Sequence, residues 1–239
     1  MTTATQARTR YTRVAIILHW TIAAMILFNL ALGYFMEGFP PAIRGIIVPL
    51  HFSCGISVLA LTVLRVLWRL TNKPPPYPSD MRPAERYAAH FVHLVLYLAM
   101  VFMPLTGWAI VSAHPPPGSA GAIAAAAMRA ASTPPAPTAN IPAKEQPSAS
   151  TAPPRRSGSV KIWGVIPLPL LQPVEQVGAT AEGVQPQKKL HSDFVRVHGI
   201  GGYILIGLLF FHVLGALKHQ FIDRHAEFAR MGIGRRSVD

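Results

Sequence analysis

Residues 197–217 read VHGIGGYILIGLLFFHVLGAL. The stretch contains no Asp, Glu, Lys or Arg. It matches the ~20 apolar residues that an α-helix needs to cross a hydrocarbon core of roughly 30 Å. His198 and His212 stand near its two ends. A separation of 14 residues brings them back to within about 40° of one helix face and sets them roughly 21 Å apart along the axis. Gly202, Leu205 and Leu209 lie between them on the same stripe, and a glycine one turn from a ligand lets a flat macrocycle approach the backbone.

Three further apolar runs have the same character: Val14–Met36, Ile46–Leu70 and Tyr87–Ala113. Pro104 inside the third predicts a kink that neighbouring helices absorb. Four runs predict an all-α membrane protein, a bundle of four transmembrane helices. The first run follows Arg8, Arg10 and Arg13 but exceeds the 7–15 residues of a signal h-region and lacks a small-x-small cleavage pattern, so it reads as a retained span. Basic residues in the short flanks set the expected topology. Arg65, Arg69, Lys73, Arg82 and Arg86 join spans two and three, and Lys218, Arg224, Arg230, Arg235 and Arg236 follow span four. Both termini and that second loop are expected in the cytoplasm.

Composition agrees. Of 239 residues, 51% are hydrophobic and 13% charged, about half the usual charged fraction of a soluble domain. Cys54 is the one cysteine, which excludes a disulfide scaffold, a zinc finger, an iron–sulfur centre and covalent CxxCH haem. The net charge of +12 sits mostly beside apolar runs, as expected for anchoring to anionic lipid rather than nucleic-acid binding.

The chain divides into residues 1–113 with three spans, a loop of residues 114–196, and residues 197–239 with the fourth span and a basic tail, together one membrane domain. The loop opens with a low-complexity Ala/Pro/Ser segment over 114–160, read as a flexible or polyproline-like insertion. Its second half, VKIWGVIPLPLLQPVEQ, is apolar enough to pack or to lie at the interface.

Depth pairs the histidines. Spans two and four both start outside, so His51 shares the level of His198, while His19 shares the level of His212. Neutral imidazole ligates haem iron well, and bundle cores commonly hold cofactors between facing helices. Without a cysteine pair the predicted groups are two noncovalent haem b, one between His51 and His198, the other between His19 and His212. His90 and His93 in span three stand at the cytoplasmic level, where a packing role competes with quinone or proton handling. His114 and His191 fall in the loop, His219 and His225 beyond span four.

Four segments carry a resemblance: YTRVAIILHW (11–20), LHFSCGISVLALTVLRVLWRL (50–70), AAHFVHLVLYLAMVFMPLTGW (88–108) and VHGIGGYILIGLLFFHVLGALKHQF (197–221). Together they resemble the prokaryotic cytochrome b561 family of four-helix dihaem membrane cytochromes. The resemblance implies a multi-pass protein of the bacterial inner membrane. It further implies an electron-transfer oxidoreductase working with quinone or quinol and a periplasmic electron donor or superoxide. The family's four axial ligands carry over onto His19, His51, His198 and His212. The 114–160 insertion departs from the compact family pattern.

Lys218, His219, Arg13 and Arg69 are placed either to neutralise haem propionates or to snorkel at the surface. Asn29 suits an interhelical hydrogen bond, and Cys54 suits close packing. The GIGG stretch lacks the GK[ST] ending of a phosphate loop. Two other functions compete. A cytochrome b subunit of a dehydrogenase or hydrogenase complex would use a partner polypeptide as donor. A non-redox histidine-lined transporter would prefer broken helices and acidic midplane residues, of which the spans have almost none.

Overall fold

The computed structural model describes residues 10–78, 80–132 and 159–234. Its helices are α1 (Arg13–Phe35), α2 (Pro41–Thr71), α3 (Pro83–Ser112), α4 (Ala120–Ser132), α5 (Gln172–Glu175), α6 (Val184–Leu217) and α7 (Glu227–Arg230), with a β-hairpin of β1 (Ser159–Ile162) and β2 (Ile166–Pro169). Helices α1, α2, α3 and α6, the first and last with the turns that follow them, are each long and apolar enough to cross a membrane. The four expected spans are therefore all helical. The fourth begins at Val184 rather than Val197, because Lys188, Lys189, Asp193 and Arg196 are good or tolerable helix residues although they are not apolar.

The chain forms two compact units. The first comprises residues up to Leu105 and from His198 onward. Its core is an apolar layer of Ile22, Ile26, Val58, Leu96 and Leu205, with Met25, Leu61, Met100, Met103 and Leu209 against it. Leu205 lies seven residues from both His198 and His212, so this layer occupies the middle of the span. Ile17, Leu27, Phe28, Phe91, Phe102, Phe210 and Phe211 point outward and stay at least half exposed. That much outward apolar surface would be a liability in water and is what a lipid solvent requires.

One end of this unit is laced by polar bonds. Thr12 caps α1, its Oγ1 accepting from Ala15 N at 3.2 Å and from Trp68 Nε1 at 2.9 Å. Arg65 donates to the Ala15 carbonyl at 2.9 Å and to the Tyr97 hydroxyl at 3.0 Å, joining three helices. The segment after α6 returns to the same end: Tyr11 N donates to the Arg230 carbonyl at 3.4 Å, and Trp20 Nε1 to the Met231 carbonyl at 3.1 Å. Burial raises the Tyr11 phenol above its ordinary value of 10.0, despite the opposing charges of Arg230 and Arg69.

The second unit spans Thr106–Val197. It corrects part of the sequence expectation. Ala120–Ser132 is a helix, not a flexible or polyproline-like stretch, because the run AGAIAAAAMRAAS is dominated by alanine, the strongest helix former. Gly121 makes its docking possible: Gly121 N donates to the Ala179 carbonyl at 3.1 Å, and a Cβ there would collide with the Gly178 carbonyl. Gln187, only 2% exposed, donates through Nε2 to the Val174 and Glu175 carbonyls at 3.2 and 3.0 Å. The apolar second half of the loop folds as well: Trp108 Nε1 donates to the Pro169 carbonyl at 3.0 Å and Leu171 N to Ser112 Oγ at 3.0 Å. The remainder of the insertion, residues 133–158, lies outside the described residues.

Candidate haem sites

Seven residues before Leu205 on α6, the His198 ring faces His51 of α2, with ring centres 6.0 Å apart and planes 76° apart. Seven residues after it, the His212 ring faces His19 of α1, with centres 6.2 Å apart and planes at 71°. The two pairs expected from depth are thus both present as neighbours. All four rings are half-buried.

The spacing can be tested against a shared metal. A ligating imidazole nitrogen sits about 2 Å from its metal and the ring centre about 1 Å further back, so two axial rings on one ion have centres about 6 Å apart. Both pairs meet that requirement. Hydrogen bonding orients the rings further. His51 Nδ1 lies 3.1 Å from the Asn29 carbonyl, so it carries the proton and donates, leaving the Nε2 lone pair for a metal. His198 is held by a bond to the Met103 backbone. Gly202, one turn from His198, has nothing within 4 Å of where a Cβ would stand, which leaves room beside the backbone for a flat group. The donor set and the space therefore fit haem.

Sequence reasoning missed three participants. Gly33 packs against the His51 ring, so closely that a Cβ would stand 3.0 Å from His51 Cε1. Its signal was its place on α1 one turn beyond Asn29, on the same face. Met103 supplies the backbone bond to His198 and covers Gly201 with its sulfur. Arg65 lies close enough to His19 and His212 to act on both electrostatically. Asn29 contributes its carbonyl rather than its side chain, whose Oδ1 is buried with no partner among the described residues.

The span-three histidines separate. His93 lies beside His212, ring centres 5.1 Å apart, with its Nδ1 2.6 Å from the Ala89 carbonyl. At 5.1 Å the pair is tighter than two axial ligands of one metal permit, so His93 flanks the His19/His212 pair. His90 is exposed, bonded to the Arg86 carbonyl at 2.7 Å and set against Tyr77. In the second unit His114 and His191 face each other at 5.5 Å. Cys54 is buried, with its thiol 3.5 Å from the Met25 carbonyl, in the packing role expected of it. Lys218 is committed to Glu85 and Asp223 at 2.8 and 2.6 Å, and His219 to Asp223 at 2.7 Å. The Lys218 ammonium and the His219 bond hold the Asp223 carboxyl below the ordinary aspartate value of 3.8.

Comparison with known proteins gives the family of the chain. The family description "prokaryotic cytochrome b561" matches residues 10–234. The chain is 30% identical over 103 residues to the probable superoxide oxidase CybB of Yersinia pestis, covering 43% of this chain and 58% of that protein. It is 36% identical over 103 residues to cytochrome b562 of Cereibacter sphaeroides, covering 41% and 63%. It is 34% identical over 111 residues to cytochrome b561 homolog 2 of Escherichia coli K12, covering 45% and 58%. The chain thus spans about three fifths of the length of the curated relatives it matches. With four apolar helices and a family match over nearly its whole length, this multi-pass protein of the bacterial inner membrane is a membrane b-type cytochrome and belongs to the prokaryotic cytochrome b561 family.

Proposed function

We propose that the chain holds two haem b, one between His51 and His198 and one between His19 and His212, and carries electrons across the inner membrane. The observation that carries the reading is the pair of bis-histidine contacts, 6.0 and 6.2 Å between ring centres, near the two ends of the apolar part of α6, residues 197–217. Haem b supplies one-electron Fe(III)/Fe(II) chemistry when bound. The rest is the work of this chain. His51 and His198 hold their site through backbone bonds that fix each ring. The apolar layer around Leu205 separates the two sites and excludes water between them. Arg65 places a positive charge beside His19 and His212, at the end laced by the polar bonds.

The basic residues cluster at that His19/His212 end, which supports a cytoplasmic placement of it and of both termini. The His51/His198 end then faces the periplasm, where a soluble donor or superoxide arrives. The quinone pool is the membrane partner, with His93 in reach of the cytoplasmic site to take or give a proton. The relative described as a probable superoxide oxidase supports superoxide as one donor. The test is reduced-minus-oxidised spectroscopy with haem counted per chain, followed by vesicle-reconstituted electron transfer from superoxide to quinone.

A second reading gains one observation. The described residues of 106–197 form a folded unit with a helix and a hairpin, a more structured surface than their composition suggested. That favours a docked polypeptide donor, as in a cytochrome b subunit of a dehydrogenase or hydrogenase. Native electrophoresis of gently solubilised membranes separates the two readings by the size of the haem-containing band.

A further inference from the structure

Past α6 the helix does not stop cleanly. Lys218–Ile222 forms a π-helical turn, and Arg224 adopts φ 57°, a left-handed conformation uncommon for a non-glycine residue. The result is a reversal: His225 N donates to the His219 carbonyl at 2.8 Å, and the two imidazoles stack with centres 5.9 Å apart and planes 16° apart. Asp223 lies between them in sequence, its Oδ2 2.7 Å from His219 Nδ1. One ligand atom from each of His219, Asp223 and His225 can be chosen so that all three lie within 4.8 Å of one another.

The orientation of His225 is the informative feature. Its Nε2 lies 3.0 Å from Asp80 Oδ2, so Nε2 carries a proton and donates to the carboxylate. Nδ1 then presents a lone pair. That nitrogen is buried and has no partner among the described residues, on a side chain only 12% exposed. A carboxylate that fixes one nitrogen while the other is left bare, on a histidine clustered with a second His and an Asp, is the arrangement that orients imidazole toward a metal. An orphaned buried acceptor otherwise destabilises the fold, because it gives up water without gaining a donor.

We propose that His219, Asp223 and His225 form a binding site for a divalent cation of the zinc class, with Asp80 positioning His225, distinct from the haem sites. Two imidazoles and one carboxylate are a donor set suited to Zn2+, with water completing a tetrahedron. Neighbouring ligands of such an ion stand about 3.3 Å apart when bonds are about 2.0–2.1 Å. Zn2+ displaces the proton shared by His219 and Asp223, and their 2.7 Å contact opens accordingly. Lys218 retains Glu85 when Asp223 turns to the metal. The bound ion closes the reversal after α6 on itself, and the Asp80–His225 hydrogen bond ties that reversal to the Asp80 loop.

The experiment uses the full-length, haem-loaded protein in detergent, stripped of loose metal and titrated with Zn2+ by equilibrium dialysis, with metal counted by mass spectrometry. The expected result is one Zn2+ per chain beyond any bound by the His219→Gln/His225→Gln double variant. Zn2+ raises the apparent Tm of the wild type and not of that variant. Asp80→Asn, which touches no ligand atom of the metal, weakens zinc binding by about 10–100-fold. His191→Gln, in the second unit, leaves the count unchanged. The haem spectrum verifies folding in every sample. Equal zinc content in wild type and double variant, loss of the ion in His191→Gln, or wild-type affinity in Asp80→Asn would each overturn the assignment.

Discussion

Replacing Gly33 tests the proposed periplasmic haem without touching a proposed ligand. An alanine Cβ at this position would stand 3.0 Å from His51 Cε1, about 0.4 Å inside the 3.4 Å at which ordinary contact begins. The ring cannot simply retreat, because its Nδ1 is tied to the Asn29 carbonyl at 3.1 Å. Forcing a side chain into such a site costs about 1–3 kcal/mol. At 1.4 kcal/mol per decade that is a roughly 5–150-fold weaker hold on the group between His51 and His198. The helix itself gains about 0.5–1 kcal/mol from Gly→Ala, but that gain is not confined to one site. Gly33→Leu extends the clash and should leave one haem per chain. Gly45→Ala, whose Cβ meets nothing within 4 Å, should keep two. Haem per chain is read by the pyridine haemochrome, and ligation by the low-spin absorption bands. Two tightly held low-spin haems in Gly33→Leu would refute the placement of His51 as an axial ligand.

Three further outcomes are expected. His212→Ala should lose one haem while His93→Ala keeps both, since His93 stands 5.1 Å from His212, short of the about 6 Å between two rings on opposite faces of one haem; haem counting decides. Gly121→Leu should unfold the α4 docking at a cost of about 3 kcal/mol or more, because it meets the Gly178 backbone, and limited proteolysis near residues 120–132 should then speed up. The raised Tyr11 pKa contributes stability that is fully present below pH 10.0 and is lost as the pH rises through the higher folded value. The apparent Tm of the wild type should therefore fall more steeply than that of Tyr11→Phe between pH 9 and pH 11.

The spans were legible because lipid demands long apolar runs, and the runs around Val14, Ile46, Tyr87 and Val197 satisfy that demand on their own. The histidine pairs were legible because helix rise converts sequence separation into depth, and His198 and His212 share a face. Depth alone does not give rotation. Whether His90 or His93 turns inward depends on how α3 packs, and no period in the sequence settles that for two histidines on a helix apolar all round. Gly33 was invisible for the same reason: its role exists only once α1 lies against His51. The α4 helix was hidden by the prolines that surround it, whose composition masked a local alanine run. The His219–Asp223–His225 cluster depends on a π turn and a left-handed Arg224, a backbone reversal that the KHQFIDRH stretch does not advertise.

The central claim is two haems on four histidines. Its most direct measurement is haem b per chain in purified wild type, His198→Ala and His212→Ala, each with a reduced-minus-oxidised spectrum. The account predicts two b-type haems in the wild type and one in each variant, with distinguishable residual spectra. One haem in the wild type, or two retained in either variant, would contradict it.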